Sequence, residues 1–343
     1  MLRRFERFGL RALQRLPDRA LSRLGGGAPV VVEGRRLDPL IQVMLRLSRV
    51  PPIERMPAPK ARRVYAQLVG VTQADELPMA SARELCIPVE AGRIRARCLV
   101  PRGLPTPSPA IVWLHGGGHV IGDIDDTDRS VRYVAERARC RLVNVEYRCA
   151  PEHPFPTAAE DAIAAYCWVR EHSGELGIDP ERIAVMGDSA GGNLSAVVAL
   201  AARDRGFPPP RLQGLLYPAV DLRLRDRSVE TFATGYGFTR ALADWFTASY
   251  VPKSSDRENP LASPLLAQSH AGLAPAIVSV AGFDLLHDQG VAYADALRAA
   301  GTRVTLLRHD SLIHAWATMT GPVPVARAAM DETCALVAGE LAG

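Results

Sequence analysis

The chain has 343 residues and a formal net charge of +4, with 48% hydrophobic and 23% charged residues. That balance excludes a disordered chain and fits either two domains or one large α/β domain with insertions. Charge placement argues against a nucleic-acid binder: residues 1–24 carry seven arginines against Glu6 and Asp18, and the rest of the chain is nearly neutral. Six cysteines, Cys86, Cys98, Cys140, Cys149, Cys167 and Cys334, stand far apart with no CxxC or Cys/His cluster. They read as free thiols in a reducing compartment, not as a zinc site or a disulfide framework.

Residues 1–24 set Leu2, Phe5, Leu13, Leu16, Leu21 and Leu24 among the arginines, a helical pattern broken at Pro17. Arginine interrupts it too often for a secretory leader, and no apolar run approaches the ~18–20 residues that span a bilayer. Helical stretches follow at Asp38–Leu47 and Lys60–Leu68, with one short strand signal at Pro29–Val32. From Glu84 the pattern changes. Glu84–Val89 and Arg93–Val100 flank Glu-Ala-Gly and predict an antiparallel hairpin. Short apolar strands are expected at Ala110–Leu114, Leu142–Glu146, Ile183–Met186, Leu215–Tyr217, Ala276–Val280 and Val304–Leu307. Helical patterns at Thr157–Glu171, Ala190–Arg203 and Gln289–Ala300 alternate with them. Strands alternating with helices predict an α/β fold, a mostly parallel sheet covered on both faces. Asp221–Asn259 is longer than a connection needs and contains an amphipathic stretch, Thr239–Tyr250. It reads as an insertion over the C-terminal edge of the sheet, where α/β folds bind ligands.

Gly187-Asp188-Ser189-Ala190-Gly191 follows one expected strand and opens a helix. A G-x-S-x-G in that context holds a serine hydroxyl out at the sheet edge, beside a helix N-terminus. His115-Gly116-Gly117-Gly118 follows another strand, and consecutive glycines let backbone amides turn toward a developing oxyanion. The loop lacks the lysine and the spacing of a phosphate-binding loop. A serine nucleophile needs a base and an orienting acid, placed after later strands in the order serine, acid, histidine. His314, in the expected loop Asp310–Trp316, is the leading base, with His309 as its rival. Asp284 follows a strand and its Gly282 turn, whereas Asp288 occupies an expected helix N-cap; Asp284 is the expected acid.

With His115-Gly-Gly-Gly, Tyr147-Arg-Cys-Ala-Pro-Glu-His-Pro-Phe-Pro, Gly187-Asp-Ser-Ala-Gly-Gly-Asn, Ser263-Pro-Leu, Asp284-Leu-Leu-His-Asp and His314-Ala-Trp in this order, the chain from Glu84 onward resembles the hormone-sensitive-lipase-like (bacterial family IV) esterases of the α/β-hydrolase fold. The resemblance implies Ser189 as nucleophile, His314 as base, Asp284 as acid, and Gly117, Gly118 and Ala190 as oxyanion-hole donors. It also implies that His115 holds the glycine loop, that Tyr147–Pro156 forms a structural loop beneath the site, and that a cap is built from two segments. The expected organisation is a cap segment at 1–75, a core at 76–220 and 259–343, and a second cap insertion at 221–258. The chain departs from the family at His119, where an aromatic is usual, at Ala315-Trp316, where Gly-Phe is usual, and at Cys149, where an aliphatic residue is usual.

The implied reaction is hydrolysis of short-to-medium acyl esters through an acyl-enzyme, with activity rising through ~pH 6–7 and no metal or cofactor. An amidase or lactonase with the same triad, a long-chain lipase, and a non-catalytic ligand-binding homologue are the alternatives. His119, Tyr236, Phe238, Leu242, Trp245, Phe246 and Trp316 are the candidate pocket residues. The expected partners are a small-molecule ester, an anionic lipid surface for residues 1–24 and a second copy in a homodimer, in a cytoplasmic protein.

Overall fold

The computed structural model describes residues 9–48 and 50–342. Eight strands build one sheet: β1 (Ser81–Val89), β2 (Gly92–Val100), β3 (Ser108–Leu114), β4 (Arg141–Val145), β5 (Ile178–Asp188), β6 (Leu212–Leu216), β7 (Ala276–Phe283) and β8 (Val304–Ile313). Their spatial order is β8-β7-β6-β5-β3-β4-β2-β1. The β1–β2 hairpin and the β2–β4 pair are antiparallel, and every other pair is parallel. β4, β6 and β7 are buried at every residue, as expected of strands covered on both faces. β1 is the exposed outer strand, and its Glu84 lies directly opposite Arg97 of β2, with a 2.5 Å ion pair between them.

Helices α1 (Asp18–Leu24), α2 (Pro39–Leu47) and α3 (Ala58–Thr72) precede the sheet. The start of α2 follows from its sequence: the Asp38 carboxylate accepts from the Leu40 and Ile41 amides, and Pro39 opens the first turn. The break at Pro17 is present, between a helical turn at 9–13 and α1. Leu2 and Phe5 lie outside the described residues. The Pro29–Val32 signal becomes a two-residue ladder, Val31–Val32 against Arg35–Arg36. Within the core run α4 (Ile124–Ala138), α5 (Thr157–Glu171), α6 (Ala190–Arg205), α8 (His287–Ala299) and α9 (Pro324–Ala342), and α7 (Arg240–Tyr250) lies in the 221–258 insertion. Residues of α4 and α9 share one apolar cluster, and α5 and α6 contribute to a second on the other sheet face.

Two expected boundaries move. β8 continues past Leu307 to Ile313, with an irregular register between His309 and Ile313, so His314 follows the strand directly instead of sitting in a free loop. α8 starts at His287, which puts Asp288 inside its first turn and not at its N-cap. Asp288 serves another helix end. Its Oδ2 accepts from the Ser228 amide at 2.9 Å, tying the short helix Arg227–Thr231 of the insertion to the core.

Candidate active site

β5 ends at Asp188 and α6 begins at Ala190, so Ser189 must make the whole reversal between them. It does so with φ 55° and ψ −114°, a conformation that costs a non-glycine residue ~1–3 kcal/mol. Its amide donates to the Leu216 carbonyl of β6 at 2.8 Å, which anchors the turn to the neighbouring strand. α6 can lie this close because Gly191 has no side chain; a Cβ there would overlap the carbonyl of Leu114 on β3.

Three side chains from three strand ends form one hydrogen-bonded chain. Ser189 Oγ is 2.9 Å from His314 Nε2, and His314 Nδ1 is 2.7 Å from Asp284 Oδ2. The other oxygen of Asp284 accepts from the Leu286 amide at 2.9 Å. All three residues are buried. The His314 ring is further fixed by Phe238, stacked at 4.3 Å, and by the edge of Tyr217. His309 is not part of this chain: its ring meets Trp316 at 5.0 Å, and burial holds it below the usual histidine range.

The glycine loop closes one wall. Gly116 donates its amide to Asp188 Oδ1 at 2.9 Å, joining the loop to the serine turn. Burial pushes this carboxyl up to about 6. Gly118 has φ 60°, and a Cβ there would strike the Phe246 ring. Beneath the loop, Tyr147 stacks on His115 at 4.3 Å and donates its hydroxyl to the His115 carbonyl at 2.7 Å. His115 Nδ1 donates to the Gly116 carbonyl at 2.8 Å. The amides of Gly117, Gly118 and Ala190 donate to no acceptor among the described residues.

A narrow cavity opens at Ser189. His119, Phe238 and Phe246 line it together with Gly118, Ala190, Ala219, Leu222, Leu224, Ala243, Thr247, Tyr250 and Leu286. Four expected pocket residues lie elsewhere. Trp316 is wholly buried against Tyr217, and Tyr236 packs on Phe232 and Phe283. Leu242 and Trp245 fall on the wrong face of α7, whose cavity side is Ala243, Phe246, Thr247 and Tyr250. The three-to-four spacing of those four residues is the signal that side-chain bulk obscures. Among the described residues no group of three or more His, Cys, Asp or Glu side chains could hold a metal ion.

Residues 111–318 match the family model for the alpha/beta hydrolase fold. The carboxylic ester hydrolase LipN of Mycobacterium tuberculosis is 42% identical over 315 residues, covering 89% of this chain and 84% of LipN. An ethyl acetate hydrolase of Pseudomonas putida is 36% identical over 80% of this chain and 88% of its own. Among solved structures, an ester-hydrolase from the Lake Arreo metagenome superposes with a TM-score of 0.84 at 37% identity, covering 89% of this chain and 98% of that one. A hyperthermophilic esterase from Pyrobaculum calidifontis does so with a TM-score of 0.83 at 35% identity, over 88% and 98%. The strand order, the serine turn between β5 and α6, and these likenesses together mean that the chain belongs to the α/β-hydrolase-fold family, as a hormone-sensitive-lipase-like member.

Proposed function

We propose that this protein is a serine carboxylesterase acting on short-to-medium acyl esters through an acyl-enzyme. The observation that carries the reading is the Ser189–His314–Asp284 hydrogen-bond chain at the mouth of a narrow apolar cavity. His314 Nε2 takes the Ser189 proton as Oγ attacks the ester carbonyl, and Asp284 holds Nδ1–H and offsets the charge on the imidazolium. The amides of Gly117, Gly118 and Ala190 receive the oxyanion, a contribution of roughly 3–4 kcal/mol per donor to transition-state stabilisation. The imidazolium then protonates the departing alcohol, and water releases the acid by the reverse sequence. Residues 1–75 and 221–258 serve as the cap over residues 76–220 and 259–343; Phe238 and Phe246 are the largest of the side chains that the insertion gives to the cavity wall.

Ser189→Ala is expected to lower kcat on p-nitrophenyl butyrate by about 10⁴-fold or more and to abolish labelling by a fluorophosphonate. A variant that keeps a tenth of the rate overturns the assignment. Across acetate, butyrate, octanoate and palmitate esters the maximum should fall at butyrate or octanoate; a palmitate maximum points to a lipase. Faster turnover of the matched anilide or lactone points to an amidase or lactonase.

A lipid-surface reading has its own observation. Leu16, Leu24, Val31, Leu47 and Val50 are exposed in the N-terminal segment, among exposed Arg15, Arg19, Arg23, Arg36 and Arg46. Apolar side chains set among cations suit an anionic membrane surface. Vesicles containing phosphatidylserine should float the full chain and not a chain lacking residues 1–24. Equal flotation of both discards the role. No described helix is long and apolar enough to cross a membrane. A homodimer is proposed for the same preparation. Sedimentation at the monomer mass discards it.

A further inference from the structure

We propose that Phe238 is a positioning residue for the base: its ring, carried by the insertion, holds the His314 imidazole toward Ser189 and Asp284 and steadies the charge that imidazole gains in turnover. This deepens the esterase reading and rests on it. Phe238 stacks on His314 with centroids 4.3 Å apart and planes 27° from parallel. The edge of Tyr217 meets the same imidazole at 4.8 Å, with planes crossing at 63°. Turning the ring away from Ser189 Oγ and Asp284 Oδ2 must therefore displace an aromatic neighbour. His314 gains a proton in each half of the reaction, when Ser189 attacks the ester and when water attacks the acyl-enzyme. The face of an aromatic ring is the negative part of its quadrupole and attracts a cation lying over it, most strongly where water is excluded. His314 is buried. The stack thus favours the imidazolium of the transition state over the neutral ring of the resting enzyme, which raises kcat instead of tightening binding.

The chain fixes Phe238 at this spot from both sides. After it, Thr239 caps α7, its side chain accepting from the Leu242 amide at 3.2 Å, and the Arg240 amide returns to the Ala233 carbonyl at 2.9 Å. Before it, Gly237 takes φ 86°, and the atoms nearest to where its side chain would stand belong to Leu45 of α2 and Ile313 of β8. Ile313 directly precedes the base, so the insertion runs beside the strand end that carries His314. The titratable groups that face the imidazole from its other neighbours are three. Asp284 lies at 2.7 Å, Asp188 is near enough for the two charges to interact, and the Tyr217 phenol is kept protonated by burial. All three stay in place when Phe238 alone is changed, so a difference between variants at this position reports on the stack.

The test is steady-state turnover of p-nitrophenyl butyrate, from about pH 5 to about pH 9, by the native protein, Phe238→Leu and Phe238→Tyr. Leucine fills much of the same volume without an aromatic face, and tyrosine keeps the face. In Phe238→Leu, kcat is expected to fall roughly tenfold or more with KM within threefold of the native value. The acid limb of kcat/KM should move down by about half a pH unit or more, because the imidazolium loses the face that attracts it. Phe238→Tyr should return both readouts to near the native values. Phe238→Met serves in place of the leucine variant if that variant does not fold. A kcat within twofold of the native value with an unmoved acid limb, whatever happens to KM, overturns the proposal and leaves Phe238 as cavity wall only. Ser189→Ala, run alongside, separates this outcome from failure of the esterase reading: native turnover that does not depend on Ser189 overturns both.

Discussion

Asp188 ties the serine turn to the glycine loop: it precedes Ser189 and accepts the Gly116 amide. Its carboxyl is raised by burial, so the native state takes up a proton that the unfolded chain gives up above the ordinary carboxylate range. Its contribution to stability is full below about pH 4 and is lost as pH rises through about 6. Asp188→Asn keeps an acceptor for Gly116 and cannot ionise. The melting temperature of the variant should therefore rise relative to the native protein between pH 4 and 7, and a constant difference across that range contradicts the argument. Gly118→Ala probes the loop from the other side. The new methyl group collides with Phe246 and the residue must still hold φ 60°, so kcat should fall by about 10²-fold or more with circular dichroism unchanged. The residues of the reacting centre were legible in the sequence because each follows a strand and sits in a spaced motif. The cavity wall was not. Which of Leu242, Ala243, Trp245 and Phe246 faces the ester depends on the rotation of α7 about its axis, and residue size says nothing about that.

Legibility of whole elements depends on contrast between apolar and polar positions. The strands announce themselves as short apolar runs or, for β1 and β2, as a hairpin about Glu-Ala-Gly, whereas α4 and α9 remain unassigned from sequence. The buried stripe of α4 sets Thr127 and Ser130 among Ile124, Val131, Tyr133 and Val134, and that of α9 sets Thr333 and Cys334 among Met330, Val337 and Leu341, so each apolar face is interrupted by polar or small residues. The reach of α3 is equally hidden. Its Arg62 donates to the carbonyls of Val120 and Ala150, each at 2.9 Å, and to both oxygens of Glu152. One helix before the sheet thereby holds the far end of the glycine loop and the Tyr147–Pro156 loop together. Arg62→Met keeps the aliphatic stem and strands two carbonyls, so stability should drop by about 1–3 kcal/mol in urea titration, and kcat/KM should fall with it. Unchanged kcat/KM would make Arg62 a surface residue only.

At the scale of the molecule, the α/β order of elements predicts a mostly parallel sheet, and the sheet observed delivers the serine, the acid and the base from the ends of β5, β7 and β8. What the order of elements does not reveal is how unequal those supports are. β5 is flanked on both sides by sheet, whereas β8 is the last strand, pairs only with β7 and is half-buried over Val304–Leu307. Its outer side meets the N-terminal segment where the Asp38 amide donates to the Ser311 carbonyl at 3.0 Å. A terminal strand with an irregular register should detach at a lower free energy than the strands inside it. Its detachment would carry the imidazole away while most of the sheet stays folded. Inactivation in rising urea should accordingly run ahead of the far-ultraviolet dichroism transition, and at those concentrations the serine should lose its reactivity toward the phosphonate while remaining in a folded turn. The weakest seam of this scaffold then sets the enzyme's working limit, well before the scaffold itself gives way.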